Sequence, residues 1–213
     1  MKTIIVLNSK GGVGKSSITR HLAVAAEQEN PGKVIICDTD PQGTLADWWN
    51  IRESETPAFA TLKVSEFAAK KDLLASKFKY IFLDTAAADA RQYATLLKAV
   101  DYILIPVVPS PDDIRSLAKI TLPVVKKSRK RFGFVLSRAR AGTQLLAPTI
   151  AALSQDSAVC ISIIQQRESY AKSAYDGSTV LEDEPNGKGA QEIRSLWTFV
   201  KTRLNEKSDE GYR

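Results

Sequence analysis

The chain has 213 residues, 44% of them hydrophobic and 25% charged, with a formal net charge of +6. This length suits one globular domain with a substantial core, and no apolar run approaches the roughly 20 residues that cross a bilayer, which excludes a helical membrane span. A modest basic surplus is compatible with an anionic partner and with no polymer partner at all. Its distribution says more: no Asp or Glu occurs between Ile114 and Gln155, whereas nine Lys and Arg residues do.

In chain order, Thr3–Leu7 is a short apolar strand, too brief for a secretory signal and expected to stay in the mature protein. It runs into Asn8-Ser9-Lys10-Gly11-Gly12-Val13-Gly14-Lys15-Ser16-Ser17 and then a helix over Ser16–Gln28. Nucleotide phosphates need several backbone N–H groups converging on one spot beside the positive end of a helix, and Gly11, Gly12 and Gly14, with Val13 between them, let the backbone come that close. Lys15 then reaches the β- and γ-phosphates, the Ser16 hydroxyl ligates Mg²⁺, and Ser17 is placed for the α-phosphate. The strict G-x-x-x-x-G-K-[ST] pattern wants glycine where Ser9 stands, but a strand before the loop and a helix after it are the context a P-loop requires.

The next strand, Val34–Cys37, ends in Asp38-Thr39-Asp40-Pro41-Gln42-Gly43. Phosphoryl transfer needs carboxylates that fix the metal and orient the attacking water, and strand ends beside the loop are where they belong. Without the upstream loop, the same residues would read as an ordinary turn rich in breakers. After a helix over Val64–Lys77, the strand Tyr80–Leu83 delivers Asp84, a Walker B acid expected to hold Mg²⁺ through water. A helix over Asp89–Ala99 leads to the strand Tyr102–Val107, whose following prolines, Pro109 among them, stiffen a loop at the carboxyl edge, where ligands of open α/β sheets sit.

A helix is expected over Asp112–Lys127, then a strand over Phe132–Leu136 with Arg138 as a candidate to stack on the base. No N-K-x-D pattern of GTPases occurs in these segments, which favours ATP. Thr143–Ser154 reads as a helix, Val159–Ile163 as a sixth strand and Glu168–Asp176 as a helix. Pro185–Gly189 reads as a flexible insertion. A last helix over about Gln191–Leu204 carries Ile193, Leu196, Trp197, Val200 and Leu204 on one stripe, read as core packing rather than as a membrane-surface anchor. Residues 1–204 form the domain and 205–213 a frayed tail. Cys37 and Cys160 lie in apolar runs with no metal spacing, so they read as buried, reduced thiols in a reducing compartment.

Strand–helix alternation of this kind implies right-handed crossovers. The fold class is a single-domain α/β P-loop NTPase, a Rossmann-like three-layer αβα arrangement with a mainly parallel sheet and helices on both faces.

The Lys-Gly-Gly-x-Gly-Lys-[Ser/Thr] loop resembles the deviant Walker A loop of the ParA/MinD family, and Asp38–Gly43 resembles that family's D-x-D-P-Q segment. From Lys2 to about Leu204, including Ile163–Tyr170 and Ser173–Val180, the chain is similar to small, ParF-like ParA proteins of plasmid partition. The resemblance implies ATP and Mg²⁺ as cofactors and weak basal ATP hydrolysis stimulated by a partner. Lys15 would serve the nucleotide of its own subunit and Lys10 would reach across a sandwich homodimer to the partner's phosphates. Read without the resemblance, Lys10 is a solvated loop charge. Asp40 would position the water, Asp38 would support the Mg²⁺ shell with Ser16 and Asp84, and the segment containing Pro109 would run along the adenine. The expected partners are non-specific DNA and a small ParB/ParG-like centromere-binding protein, not a membrane, with a cytoplasmic, nucleoid-associated location. Lys126, Lys127, Arg129, Lys130, Arg140, Arg167 and Lys172 are the candidate DNA contacts, although a lysine-rich run is commonly a solvated face. The family usually places proline or glycine after the Walker B acid, where this chain has Ala86-Ala87-Ala88-Asp89, which leaves its γ-phosphate switch unassigned.

The alternatives share the loop. They are a MinD-like membrane-cycling ATPase, opposed by Glu192 and Glu206 on its would-be anchor, and a ParA-like ATPase that positions protein cargo on the nucleoid. A metal-cluster reductase would need cysteines at a dimer interface, and a non-hydrolysing binding module would not depend on Asp40.

Overall fold

The computed structural model describes residues 1–206; most of the expected tail, from residue 207 on, lies outside the described residues. The Val- and Ile-rich runs become β1 (Lys2–Val6), β2 (Val34–Asp38), β4 (Tyr80–Asp84), β5 (Tyr102–Val107) and β6 (Phe132–Leu136), and a short β3 (Ala58–Thr61) joins them. All pair in parallel in the order β3-β2-β4-β1-β5-β6. The central strands are continuous apolar runs because helices cover both faces. Ile4, Ile36, Phe82 and Leu104 point to one core, and Ile5, Cys37, Leu83 and Ile103 to the other.

The helices are α1 (Lys15–Glu29), α2 (Thr44–Asn50), α3 (Phe67–Lys77), α4 (Ala94–Ala99), α5 (Pro111–Ser116), α6 (Leu122–Lys127), α7 (Leu146–Ser154), α8 (Glu168–Tyr175), α9 (Val180–Asp183) and α10 (Lys188–Asn205). The stripe Ile193, Leu196, Trp197, Val200 and Leu204 of α10 is buried in the core shared with α1. It is therefore not displayed as a surface anchor, and among the described residues no helix is long and apolar enough to cross a membrane.

Several boundaries differ from expectation. Val159–Ile163 is not a strand. Isolated parallel bridges stand at its start and just beyond its end, Phe134 with Val159 and Ala139 with Gln165, while Ile161 between them is 96% exposed. An apolar run alone does not make a strand when its middle residue has no core to face. The helix expected over Asp112–Lys127 is interrupted by a π-turn at Leu117–Thr121, just ahead of Pro123, which has no N–H for a regular ladder. Pro185–Gly189 is not a free insertion, since Lys188 and Gly189 form the first turn of α10 and the Gly187 N–H donates to Glu184 O. β3 is a four-residue edge strand, Ala-Phe-Ala-Thr, whose pattern is too short to stand out.

Candidate nucleotide site

Because every strand is parallel, the segments that follow β1, β2, β4, β5 and β6 emerge on the same edge of the sheet. The glycine loop, Asp38–Asp40, Asp84, Pro109 and Arg138 are thereby gathered from across some 130 residues of sequence. Hydroxyls cross-link the strand ends: Thr85 Oγ1 donates to Val6 O at 2.7 Å and Thr39 Oγ1 to Asp84 O at 2.6 Å.

The loop is held by its carbonyls. Ser137 Oγ donates to Val13 O at 2.7 Å, and Arg138 Nη1 donates to Gly12 O at the same distance. In a planar trans peptide the N–H that follows points the opposite way, so these bonds turn the Val13 and Gly14 N–H groups to the other side of the loop. Gly12 and Gly14 have φ of +73° and +88°, a region that side chains other than glycine's enter at a cost. Gly14 directly precedes α1, so the loop's amides continue into the unpaired N–H groups of that helix's first turn.

Lys15 is buried, and its Nζ donates to Lys10 O at 3.1 Å. Burial lowers its pKa, against the opposing pull of Asp84 and Asp40. Asp84 is fully buried and accepts from Ser16 Oγ at 2.6 Å and from Thr19 Oγ1 at 3.0 Å. Desolvation pushes its pKa up to about 7, Asp38 adds to the rise, and the two hydroxyls and Lys15 resist it. Burial also raises the pKa of Asp38, and the Asp40 N–H bonded to it opposes that rise more than the Asp40 charge adds to it. Asp38 Oδ1 accepts the Asp40 N–H at 2.9 Å, while Asp38 Oδ2 is buried with no partner among the described residues. Two desolvated carboxylates beside a serine hydroxyl, one with an orphaned oxygen, fit a divalent cation. Among the described residues no three His, Cys, Asp or Glu side chains converge as a metal cage, so such an ion would draw its other ligands from phosphate and water. Asp40 is partly exposed at the mouth, its Oδ1 taking the Gln42 N–H at 2.9 Å.

The unusual residues of the loop have partners that the sequence did not reveal. Ser9 N donates to Thr121 Oγ1, which in turn donates to Ser9 Oγ, and Ser9 Oγ accepts from the Ala90 N–H. The loop is thus tied both to the π-turn and to the segment after Asp84. In that segment Ala86 N donates to Tyr93 OH at 2.9 Å, and a Cβ on Gly11 would lie 3.5 Å from the Ala87 Cβ. The alanines that replace the family's proline or glycine are held by Tyr93 and packed against the loop. Lys10 does not project freely: its Nζ lies 2.7 Å from Asp113 Oδ2. Thr19, one helical turn after Lys15, could have been foreseen from spacing, but nothing in the sequence around Asp113 points to Lys10, 103 residues away.

Pro109 is buried, and Arg138, at φ +50°, lies over the loop through its bond to Gly12 O. The basic candidates do not form one surface. Lys126, Lys127, Arg129 and Lys130 precede β6 and lie at its amino end, whereas Arg140, Arg167 and Lys172 follow its carboxyl end, a strand length of about 16 Å away. Lys126 is paired with Asp156, and Arg167 is held by Glu192 at 2.5 Å and by Gln165. Both therefore already have carboxylate partners within the chain. Lys127, Arg129, Lys130, Arg140 and Lys172 make no ion pair among the described residues. Both cysteines are buried free thiols, with burial raising Cys37 to about 12 and Cys160 to about 11, as expected of inert side chains.

The family model described as the CobQ/CobB/MinD/ParA nucleotide binding domain matches residues 4–180. The chain belongs to that family. It is 26% identical over 211 residues to "Maintenance of carboxysome distribution protein A" of Halothiobacillus neapolitanus, covering 93% of this chain and 95% of that one. In structure it is similar to a ParA family ATPase from Chlorobium tepidum, with a TM-score of 0.75 at 18% identity over 94% of this chain and 98% of the other. It is also similar to an ATP complex of Cyanothece McdA, with a TM-score of 0.67 at 18% identity over 98% of both. The family reading and the single-domain α/β P-loop fold expected from the sequence hold. Of the functional readings, cargo positioning gains more support than plasmid partition, since relatives matched by sequence are named for carboxysome distribution.

Proposed function

We propose that this chain is a Mg²⁺-dependent ATPase that positions a protein cargo on DNA through an ATP-bound homodimer. The observation that carries the ATPase part is the meeting of Lys15, Ser16, Asp84 and the partnerless Asp38 oxygen under a loop whose amides face away from its anchored carbonyls. The cargo part is supported by the carboxysome relative; DNA or plasmid segregation with a ParB/ParG-like partner is the second reading, motivated by the basic stretch.

Bound Mg-ATP supplies a polarised γ-phosphoryl group open to attack by water. The loop amides and Lys15 bind its phosphates, and Ser16 and Asp84, with Asp38 behind them, hold the ion. Asp40, at the mouth and not buried, orients the water and takes up its proton. Pro109 and Arg138 border the base. Lys10 adds positive charge to the phosphates of the partner subunit, much as an arginine finger does. Arg140 and Lys172 would touch DNA in step with the nucleotide state. Lys127, Arg129 and Lys130 would touch it from the opposite edge.

The test is phosphate release with Mg-ATP and DNA, in wild type and Asp40→Ala. The proposal expects turnover in wild type and a loss of at least tenfold in the variant; equal rates would rule out the role given to Asp40. Arg140→Ala with Lys172→Ala should lower the salt slope of DNA binding by about 2. In cells lacking the chain, protein assemblies should lose their spacing while plasmids are retained; plasmid loss alone would select the second reading.

A further inference from the structure

The first half of the glycine loop is tied to one neighbouring segment three times. Asn8 Nδ2 donates to Pro106 O at 2.8 Å, Ser9 N donates to Thr121 Oγ1 at 3.2 Å, and Lys10 Nζ meets Asp113 Oδ2 at 2.7 Å. The first two ties join neutral groups, one of them fully buried. The third is an ion pair with unequal ends, a lysine side chain 39% exposed and a carboxylate only 8% exposed. It alone has one end that can swing out into solvent, and toward a second subunit.

We infer that Asp113 is a positioning residue for Lys10, holding its ammonium within the free chain and releasing it when the ATP-bound dimer forms. This rests on the role across the dimer proposed for Lys10. The geometry makes release feasible at Asp113, because its carboxylate also accepts the Ser110 hydroxyl and is not left bare when the ammonium departs. The same serine caps α5 by accepting the Asp113 N–H at 3.1 Å, so the helical turn that carries Asp113 is fixed independently of Lys10. Lys10 is anchored on its own side by its backbone N–H, which donates to Asn8 Oδ1 at 3.0 Å. Only the side chain needs to move. The pair therefore opposes assembly until the partner's phosphates outbid one buried carboxylate, which ties exposure of the cross-subunit cation to nucleotide occupancy.

Asp113→Asn tests this directly, since an amide can still accept from Ser110 and leaves the helix cap in place while removing the attraction for Lys10. A partly exposed ion pair is worth about threefold in an equilibrium constant, and two pairs open per dimer, so the dimer should tighten by roughly ninefold. The measurement is sedimentation velocity with Mg-ATP in an Asp40→Ala background, which keeps ATP intact, with ADP as the arm in which every protein stays monomeric. Asp113→Ser, a smaller uncharged variant, should shift the constant in the same direction, and Asp113→Glu should return it to the parent value. An unchanged or weaker dimer in both uncharged variants overturns the inference. So does a tighter dimer in Asp113→Glu, which would place the effect in the loop rather than in the charge. If the parent remains monomeric in ATP, the sandwich reading itself fails and this inference with it; a parent dimer indifferent to Asp113 removes the inference alone.

Discussion

His21 is the chain's only histidine, and it sits fully buried on α1 between the nucleotide loop and α9. Its Nδ1 is 2.7 Å from Ser17 O, and its Nε2 accepts the Val180 N–H at 3.3 Å. That pairing requires the neutral ring with its proton on Nδ1. Burial, with the adjacent Arg20 charge adding to it, lowers the pKa from 6.5 to about 3. A depressed histidine adds stability that is complete above 6.5 and is lost as pH falls towards 3. At pH 5, which is 1.5 units below 6.5, the loss is about 2 kcal/mol. In His21→Leu, a buried Val180 N–H loses its acceptor, so the variant should be less stable than wild type at pH 7.5 by about 1–3 kcal/mol. Urea unfolding at both pH values should show that gap shrinking by about 2 kcal/mol at pH 5. Being single, the imidazole also has one set of NMR signals, which should stay in the neutral Nδ1–H form from pH 8 to pH 5. A ring that titrates near 6.5, or a gap that is the same at both pH values, would refute the reasoning.

Asp84 has the opposite sign. Its folded pKa of about 7 lies above the ordinary 3.8, so its favourable contribution is full below 3.8 and is lost as pH rises through 7. With chelator and no nucleotide, Asp84→Asn should therefore be more stable than wild type at pH 8, by about 2–3 kcal/mol after the cost of reorienting a hydroxyl, while Mg-ATP turnover disappears. Equal stability at pH 8 in a denaturant titration would contradict the burial argument. Gly133 is a steric case: an added Cβ would fall 2.2 Å from the Tyr102 hydroxyl and 3.1 Å from Ala158 O. Gly133→Ala should lose about 1–3 kcal/mol in thermal unfolding through overpacking, with ATP affinity retained because β6 meets the site only at its far end. An unchanged melting temperature would show that Tyr102 yields more easily than its burial implies.

The parallel sheet and the phosphate loop were legible because each rests on local pattern. Val34–Cys37 and Tyr80–Leu83 are unbroken apolar runs that only a doubly covered strand accommodates, and Gly12 and Gly14 mark positions where the backbone takes positive φ. Asp38, Asp40 and Asp84 could be read from their places at strand ends. What escaped reading is what depends on tertiary neighbours. Ile161 belongs to an apolar run yet faces solvent. Lys126 and Arg167 look like free charges, and their partners Asp156 and Glu192 lie 30 and 25 residues away. Ser9 looks like a defect in the Walker motif until Thr121 and Ala90 are seen to hold it. Asp113, 103 residues from Lys10, carries no motif that points back to it.

The central claim is that ATP brings two chains together through Lys10. The most direct measurement is ATP binding, turnover and sedimentation of Lys10→Ala beside wild type in the same buffer. The account predicts that the variant binds Mg-ATP with nearly wild-type affinity, sediments as a monomer and releases no phosphate above background. A Lys10→Ala chain that hydrolyses ATP at the wild-type rate, or dimerises as wild type does, would contradict it.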